Sequence, residues 1–339
     1  MTNYSVSEMN NNDLDHVINI LKSSNLVLND GMTYTAVLKH GDTPIGTCSF
    51  EGDVIKSFAI RPCYRASGGA AILLTHIINR MFDEGIYNMK LFSSSENRHI
   101  FESFQFNCIC DTGKVILMES SFIGIESYIK SLKETLGEYK GTRSAIVMNC
   151  NPFTLGHRML IERASRESDE VIVFVLEEDK SIFPFNVRMK LVQDGIKDLS
   201  NIKVIPSGPY MVSSATFPEY FIKDSSVRAE ASAELDAHIF GSIIAKSIDI
   251  TRRYVGTEPY CQTTNLYNNS LMKVLSKYDV ELKVVDRRTF NEKPISATRV
   301  REYLREGNMD ILKNLVPKST FEYLVSDELD SIINKILSE

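Results

Sequence analysis

From about residue 142 onward, short apolar runs alternate with stretches of helical spacing. The apolar runs fall at 144–149, 170–176, 202–206, 252–256 and 281–286. Helical spacing fills 157–167, 185–198, 229–247, 262–278 and 296–306. Near-continuous Val/Ile runs between helices predict parallel strands covered on both faces. The order predicts a doubly wound parallel sheet of the Rossmann-like α/β class. Ligands of such sheets sit beyond the carboxyl ends of the strands, where the strand order switches.

The first half is patterned differently. Val54–Ile60 alternates like a strand, Arg61-Pro62 follows, and an amphipathic helix is expected from about Ala71 to Glu84. Ile125, Ile129, Leu132 and Leu136 share one helical face, which predicts a connecting helix over 123–139. The expected organisation is a module over 1–120, a connecting helix in 121–141 and a second domain over 142–339.

Composition adds limits. A length of 339 residues suits two domains, and 43% hydrophobic content is enough for two cores. The net charge of −6, without basic blocks, argues against a nucleic-acid partner. No apolar run approaches a membrane span and no signal peptide is visible, so a cytoplasmic protein with no membrane role is expected. Six cysteines at irregular spacing read as reduced thiols, including the close pair Cys108 and Cys110. His16, His40, His76, His99 and His238 fall at no metal-ligand spacing.

Candidate chemistry gathers on one edge of the second sheet. Asn149-Cys150-Asn151-Pro152-Phe153-Thr154-Leu155-Gly156-His157 joins the first strand to the first helix. A helix start with a Pro/Gly turn favours an anion, since its N–H groups and dipole face the turn. Gly156 is expected to admit a phosphate, and His157 to add a side-chain donor. Gly256-Thr257-Glu258-Pro259 follows the fourth strand, and Ile295-Ser296-Ala297-Thr298-Arg299-Val300-Arg301 follows the fifth. Ser296 is a good N-cap, and Gly307 a plausible helix stop. Arg299 in a first turn opposes the helix dipole, which suits either a solvated surface arginine or a phosphate clamp. Glu177-Glu178-Asp179 end the second strand, as a solvated acidic loop or as an aid in holding hydrated magnesium. The small polar run 213–216 is either an ordinary loop or room for an acyl or pantetheine group.

Thr154-Leu155-Gly156-His157 resembles the (His/Thr)-x-Gly-His signature of the nucleotidyltransferase superfamily. Ile295–Arg301 resembles its Ile-Ser-Ser-Thr-Arg-Val-Arg signature, with Ala297 replacing a serine. Arg65-Ala66-Ser67-Gly68-Gly69-Ala70 resembles the coenzyme A pyrophosphate loop of the GCN5-related N-acetyltransferases, an α+β fold. The segment 97–106 resembles that family's later segment, with Phe101 where a tyrosine is usual and Gln105 where a glycine is usual. An acetyltransferase-like module ahead of a nucleotidyltransferase domain, together with Ser213–Pro218 and Gly256–Pro259, resembles the citrate lyase ligase family.

That resemblance implies an AMP-forming acid–thiol ligase. It would use acetate and ATP with Mg²⁺ to acetylate the prosthetic-group thiol of the acyl carrier subunit of citrate lyase. His157, Thr154 and Arg299 would be catalytic. Asn151, Pro152, Phe153, Gly156, Gly256, Glu258, Ser296 and Thr298 would bind ATP. Arg65, Gly68, Gly69 and Ala70 would form a coenzyme A or pantetheine-type loop. No metal ligand is assigned. Two alternatives share these motifs: a simple adenylyltransferase of the dephospho-coenzyme A or NAD type, and a non-catalytic coenzyme A-binding sensor.

Overall fold

The structure, a computed structural model, describes residues 3–28, 31–65, 67–120, 124–177, 181–211, 225–257 and 262–337. Glu178, Asp179, the 213–218 run, Glu258 and Pro259 lie outside them. The described chain divides into two compact units. One carries the residues up to 128 together with 225–235, and the other carries the rest.

The first unit holds a seven-stranded sheet built from β1 (Tyr4–Glu8), β2 (Tyr34–His40), β3 (Thr43–Glu51), β4 (Val54–Ile60), β5 (Lys90–Ser94), β6 (Asn107–Asp111) and β7 (Val115–Glu119), in the order β1-β2-β3-β4-β5-β7-β6. Three helices from the stretch before residue 120 accompany it: α1 (Leu14–Ser23), α2 (Gly69–Asp83) and the short α3 (Arg98–Glu102). Only β4 and β5 run parallel. They pair at just two positions, Val54 with Lys90 and Ile55 with Leu91. Beyond these the two strands carry no further pairs, and a cleft lies between them. Within β4, Ser57 has a left-handed backbone (φ 53) and its hydroxyl turns to the Val27 carbonyl, 3.3 Å away. This local irregularity marks where the ladder ends. Leu73, Leu74, Ile77 and Met81 of α2 pack on Leu38, Phe50 and Ile60 of the sheet.

Helix α4 (Gly124–Leu136) occupies the stretch expected to connect the halves, and the division between units falls within it. The second sheet then follows. Its strands are β8 (Arg143–Met148), β9 (Glu170–Val175), β10 (Ile202–Pro206), β11 (Ile250–Gly256) and β12 (Glu281–Val285), each within two residues of the apolar runs that predicted it. All four pairings are parallel, in the order β10-β9-β8-β11-β12. The winding therefore reverses between β8 and β11, which is where a ligand is expected.

The helices are α5 (Leu155–Glu167), α6 (Phe185–Gly195), α7 (Ser225–Ile239), α8 (Gln262–Leu275) and α9 (Ala297–Arg305), then α10 (Met309–Leu312), α11 (Lys318–Leu324) and α12 (Asp330–Leu337). After α7 the chain widens into π turns at Phe240–Ala245, inside the helix expected at 229–247. A two-stranded hairpin, β13 (Thr289–Phe290) and β14 (Lys293–Pro294), precedes α9. All six residues of β9 are buried, as an inner parallel strand requires.

Candidate functional site

The turn after β8 is fixed from below by a buried cation. Arg188 of α6 is fully buried, and its Nη1 donates to the carbonyls of Asn149 (2.8 Å) and Leu176 (2.7 Å). Its Nε donates to the Phe183 carbonyl at 2.9 Å. One guanidinium thus ties together the ends of β8 and β9, a task suited to its rigid fork of donors. Asn151 accepts from the Phe183 N–H through Oδ1 (2.9 Å), and its carbonyl accepts from Arg301 Nη1 of α9 (2.8 Å). Cys150 is packed at the strand end, with burial pushing its thiol pKa up, so it is a core residue and a poor nucleophile.

Thr154 then caps α5. Its Oγ1 accepts from the His157 N–H at 3.3 Å, and His157 Nδ1 accepts from the Thr154 N–H at 3.1 Å. This reciprocal capping box fixes the ring. It also fixes the tautomer, because an accepting Nδ1 leaves the proton on Nε2. The His157 ring stacks on Phe153, with centroids 6.0 Å apart and planes at 11°. Burial, helped by the charge of Arg287, pushes the His157 pKa down to about 4. The ring is therefore a neutral donor through Nε2 at pH 7.

The second half-site meets the first. Ser296 caps α9 by accepting the Arg299 N–H at 3.2 Å. A Cβ added at Gly156 would stand 3.0 Å from the Ile295 carbonyl oxygen, so the two helix starts touch through the missing side chain. The missing side chain of Gly156 also lets the chain at Ile295 approach. Between the helix starts lies a cavity of about 640 Å³. Thr154, Gly156, His157, Gly256, Arg287, Ser296 and Thr298 border it. Two helix N-termini facing one space favour an anion with several charges.

Some expected residues stand elsewhere. Phe153 is fully buried and Pro152 is buried, so neither offers surface to a nucleotide. Phe153 instead supports the His157 ring and packs tightly on α6, where a Cβ at Gly195 would fall 2.5 Å from it. Asn151 is engaged by Phe183 and Arg301. Arg299 Nη1 donates to the carbonyls of Lys293 (3.0 Å) and Pro294 (2.8 Å), which turns it toward its own hairpin. Glu177 accepts from the Gly208 N–H at 2.8 Å and closes a turn. Among the described residues, no group of three His, Cys, Asp or Glu is placed to hold a metal. The sequence pattern missed Arg188, Arg287 and the bridging role of Arg301. Position alone, just beyond the fifth strand, could have flagged Arg287.

The first unit has its own cavity, of about 470 Å³, where β4 and β5 separate. Arg65, Ala70, Ser57, Ser93, Asn97 and Phe101 border it. Gly68 takes a left-handed conformation (φ 84) as the cap of α2. Gly69 is buried, and a Cβ there would stand 2.8 Å from Leu38 Cδ2. Of the four loop residues, then, Arg65 and Ala70 face the cavity, and the glycines shape the turn and the packing. Phe101 lies edge-on to Phe58 and Phe106 and brings no hydroxyl. Gln105 has φ 64, a backbone suited to the glycine usual in acetyltransferases at that point.

The citrate lyase ligase C-terminal domain model matches residues 143–324. The chain is 32% identical to the [citrate [pro-3S]-lyase] ligase of Escherichia coli (strain K12), over 94% of this chain and 92% of that protein. The chain belongs to the citrate lyase ligase family. The ligase of the same name from Haemophilus influenzae is 34% identical, over 90% of this chain and 92% of that protein. Solved structures similar to the chain include the ribosomal-protein-S18-alanine N-acetyltransferase from Escherichia coli, at 18% identity and a TM-score of 0.30, covering 34% of this chain and 92% of that one. The two segments that resemble nucleotidyltransferase signatures, Thr154–His157 and Ser296–Arg301, open the two helices that meet at the cavity.

Proposed function

We propose that this ligase activates acetate with ATP at the second-unit cavity, forming acetyl-adenylate and pyrophosphate. The acetyl group then passes to the prosthetic-group thiol of the acyl carrier subunit of citrate lyase, and AMP leaves. The observation that carries this reading is the meeting of the Thr154 and Ser296 helix starts around one cavity, at the switch in strand order. A carboxylate oxygen of acetate attacks the α-phosphorus in line. Acetate is ionised at pH 7 and needs no general base. Positioning and charge stabilisation are then the protein's main work. His157 Nε2–H donates to the α-phosphate as charge builds there. Ser296, Thr298 and the α9 N–H groups hold the leaving pyrophosphate, and Arg299, whose Nη1 meets the Lys293 and Pro294 carbonyls, adds the other nitrogens of its fork. Thr154 orients the triphosphate indirectly, by locking the His157 ring. Mg²⁺ enters as part of the MgATP substrate.

Incubation with MgATP and radiolabelled acetate tests this directly. Pyrophosphate release that depends on acetate supports it. A stable product that retains the AMP moiety would support the dinucleotide-forming alternative, and ATP binding without turnover would support a sensor.

Arg299 should matter through geometry as well as charge. Arg299→Ala is expected to weaken ATP binding by roughly ten- to a hundredfold, the usual worth of a charge-assisted contact. Arg299→Lys should recover only part of this, since a point donor replaces a fork. Normal ATP binding by Arg299→Ala would reduce the α9 start to a capped surface helix.

The first-unit cleft is read as the seat of the pantetheine arm of the carrier, without acetyl transfer to amines, because Phe101 has no proton to give. Ala70 borders the cleft at the start of α2. Ala70→Phe in the full chain should keep acetate-dependent pyrophosphate release near the parent level. Delivery of acetyl to the carrier should fall by roughly tenfold or more, as a side chain fills the path of the arm. Equal delivery by parent and variant would leave the cleft without this role.

A further inference from the structure

Arg287 stands two residues beyond β12, at the same sheet edge as the signatures. Its backbone N–H donates to Thr257 Oγ1 at 3.2 Å, which pins the end of β12 to the end of β11. Its side chain lies over Gly256: a Cβ added there would be 3.5 Å from Arg287 Nε and 3.6 Å from its Cγ. Arg287 borders the cavity together with Thr154, Gly156, His157, Ser296 and Thr298. Arg299 is turned to the carbonyls of Lys293 and Pro294. Burial holds the Arg287 guanidinium below the ordinary arginine range.

We propose that Arg287 is a phosphate-binding residue of this site, holding the α-phosphate of the nucleotide from the wall shared with Gly256 while His157 donates from the start of α5. The proposal rests on the reading of the second unit as an ATP-using site. A guanidinium suits it, because its fork can meet two oxygens of one phosphate. Arg287 also acts on His157, whose ring its positive charge helps keep neutral. Asp286 borders the same cavity with the opposite charge, and the Thr154 hydroxyl touches His157 Nδ1 at 3.0 Å.

The test is titration of ATP and of AMP onto the full-length parent, Arg287→Ala, Arg287→Lys and Arg288→Ala. Arg288 is an exposed neighbour of equal charge and serves as the control for net charge. Arg287→Ala is expected to weaken ATP and AMP alike, by roughly ten- to a hundredfold. Arg287→Lys should fall between it and the parent, and Arg288→Ala should match the parent. A second readout is independent of ligand. The proton NMR signal of His157, assigned by its loss in His157→Ala, should titrate near pH 4 in the parent and move toward the ordinary histidine value of about 6.5 in Arg287→Ala. Parent-like affinity for both nucleotides in Arg287→Ala or Arg287→Lys would overturn the proposal. Weakened ATP with unchanged AMP would also overturn it, by moving Arg287 off the α-phosphate. A parent that binds neither nucleotide would sink the ATP reading itself.

Discussion

His157→Ala is expected to lose most of its adenylation rate while ATP binding changes only modestly. The ring is held by the capping box with Thr154 and by the Phe153 face, so Nε2–H is the one group left to act on substrate. A donor aimed where charge develops is worth roughly 3–4 kcal/mol in the transition state, or about a hundred- to a thousandfold in rate. The same donor adds less to ground-state binding, because the α-phosphate gains charge as acetate attacks. Removing the ring also removes half of the capping box, at a cost of about 1 kcal/mol in stability. His157→Gln tests this further, since its amide can donate but cannot reproduce the ring's stacking. Acetate-dependent pyrophosphate release within a few-fold of the parent in His157→Ala would take His157 out of the chemistry.

The second large effect is expected in stability, at a buried ion pair that is not part of the cavity lining. Arg253 and Asp236 form an ion pair at 2.8 Å, with both side chains 2% exposed. The Tyr267 hydroxyl donates to the same carboxylate at 3.0 Å, and the guanidinium lies 4.5 Å from the centre of the Phe240 ring. Arg253 Nε and Nη1 are buried without a hydrogen-bond partner, so the pair is already incompletely satisfied. Asp236→Ala leaves a buried guanidinium without its counter-charge, which costs about 3–5 kcal/mol. The double substitution Asp236→Ala with Arg253→Met should recover much of that loss, because an apolar side chain suits the same space. The midpoint of urea unfolding measures both. A loss below about 1 kcal/mol for Asp236→Ala would mean that water reaches the guanidinium and that the pair is weakly buried.

The second sheet was legible because buried parallel strands are written as unbroken apolar runs. Val171–Val175 is such a run, and each of its residues is buried. One cap was legible for a related reason: capping chemistry is local, and Ser296, expected as an N-cap, accepts the Arg299 N–H three residues on. The capping box of Thr154 with His157 was not expected. What could not be read depends on neighbours distant in sequence. Arg143, Arg188 and Arg253 look like surface charges, yet each is buried among partners far along the chain. Gly156 and Gly69 also have packing tasks that spacing does not show, since their missing side chains make room for Ile295 and Leu38. Phe153 sits inside a signature and still belongs to the core. The antiparallel strands of the first unit carry many small polar residues, such as the buried Thr35, Thr47 and Ser49. Their inward face is therefore faint in hydropathy. Arg287 lacked any motif, and its position just beyond the fifth strand was the one sequence signal that pointed to the cavity wall.

In the proposed reaction an acetate oxygen attacks the α-phosphorus of ATP. The most direct measurement uses acetate labelled with ¹⁸O in both oxygens, MgATP and hydroxylamine as a stand-in for the thiol. The acceptor attacks the acetyl carbonyl, so the oxygen that joined phosphorus stays there. Mass spectrometry should find one ¹⁸O in the released AMP, with acetohydroxamate and pyrophosphate formed alongside it. AMP without label, or label in inorganic phosphate released together with ADP, would contradict attack at the α-phosphorus.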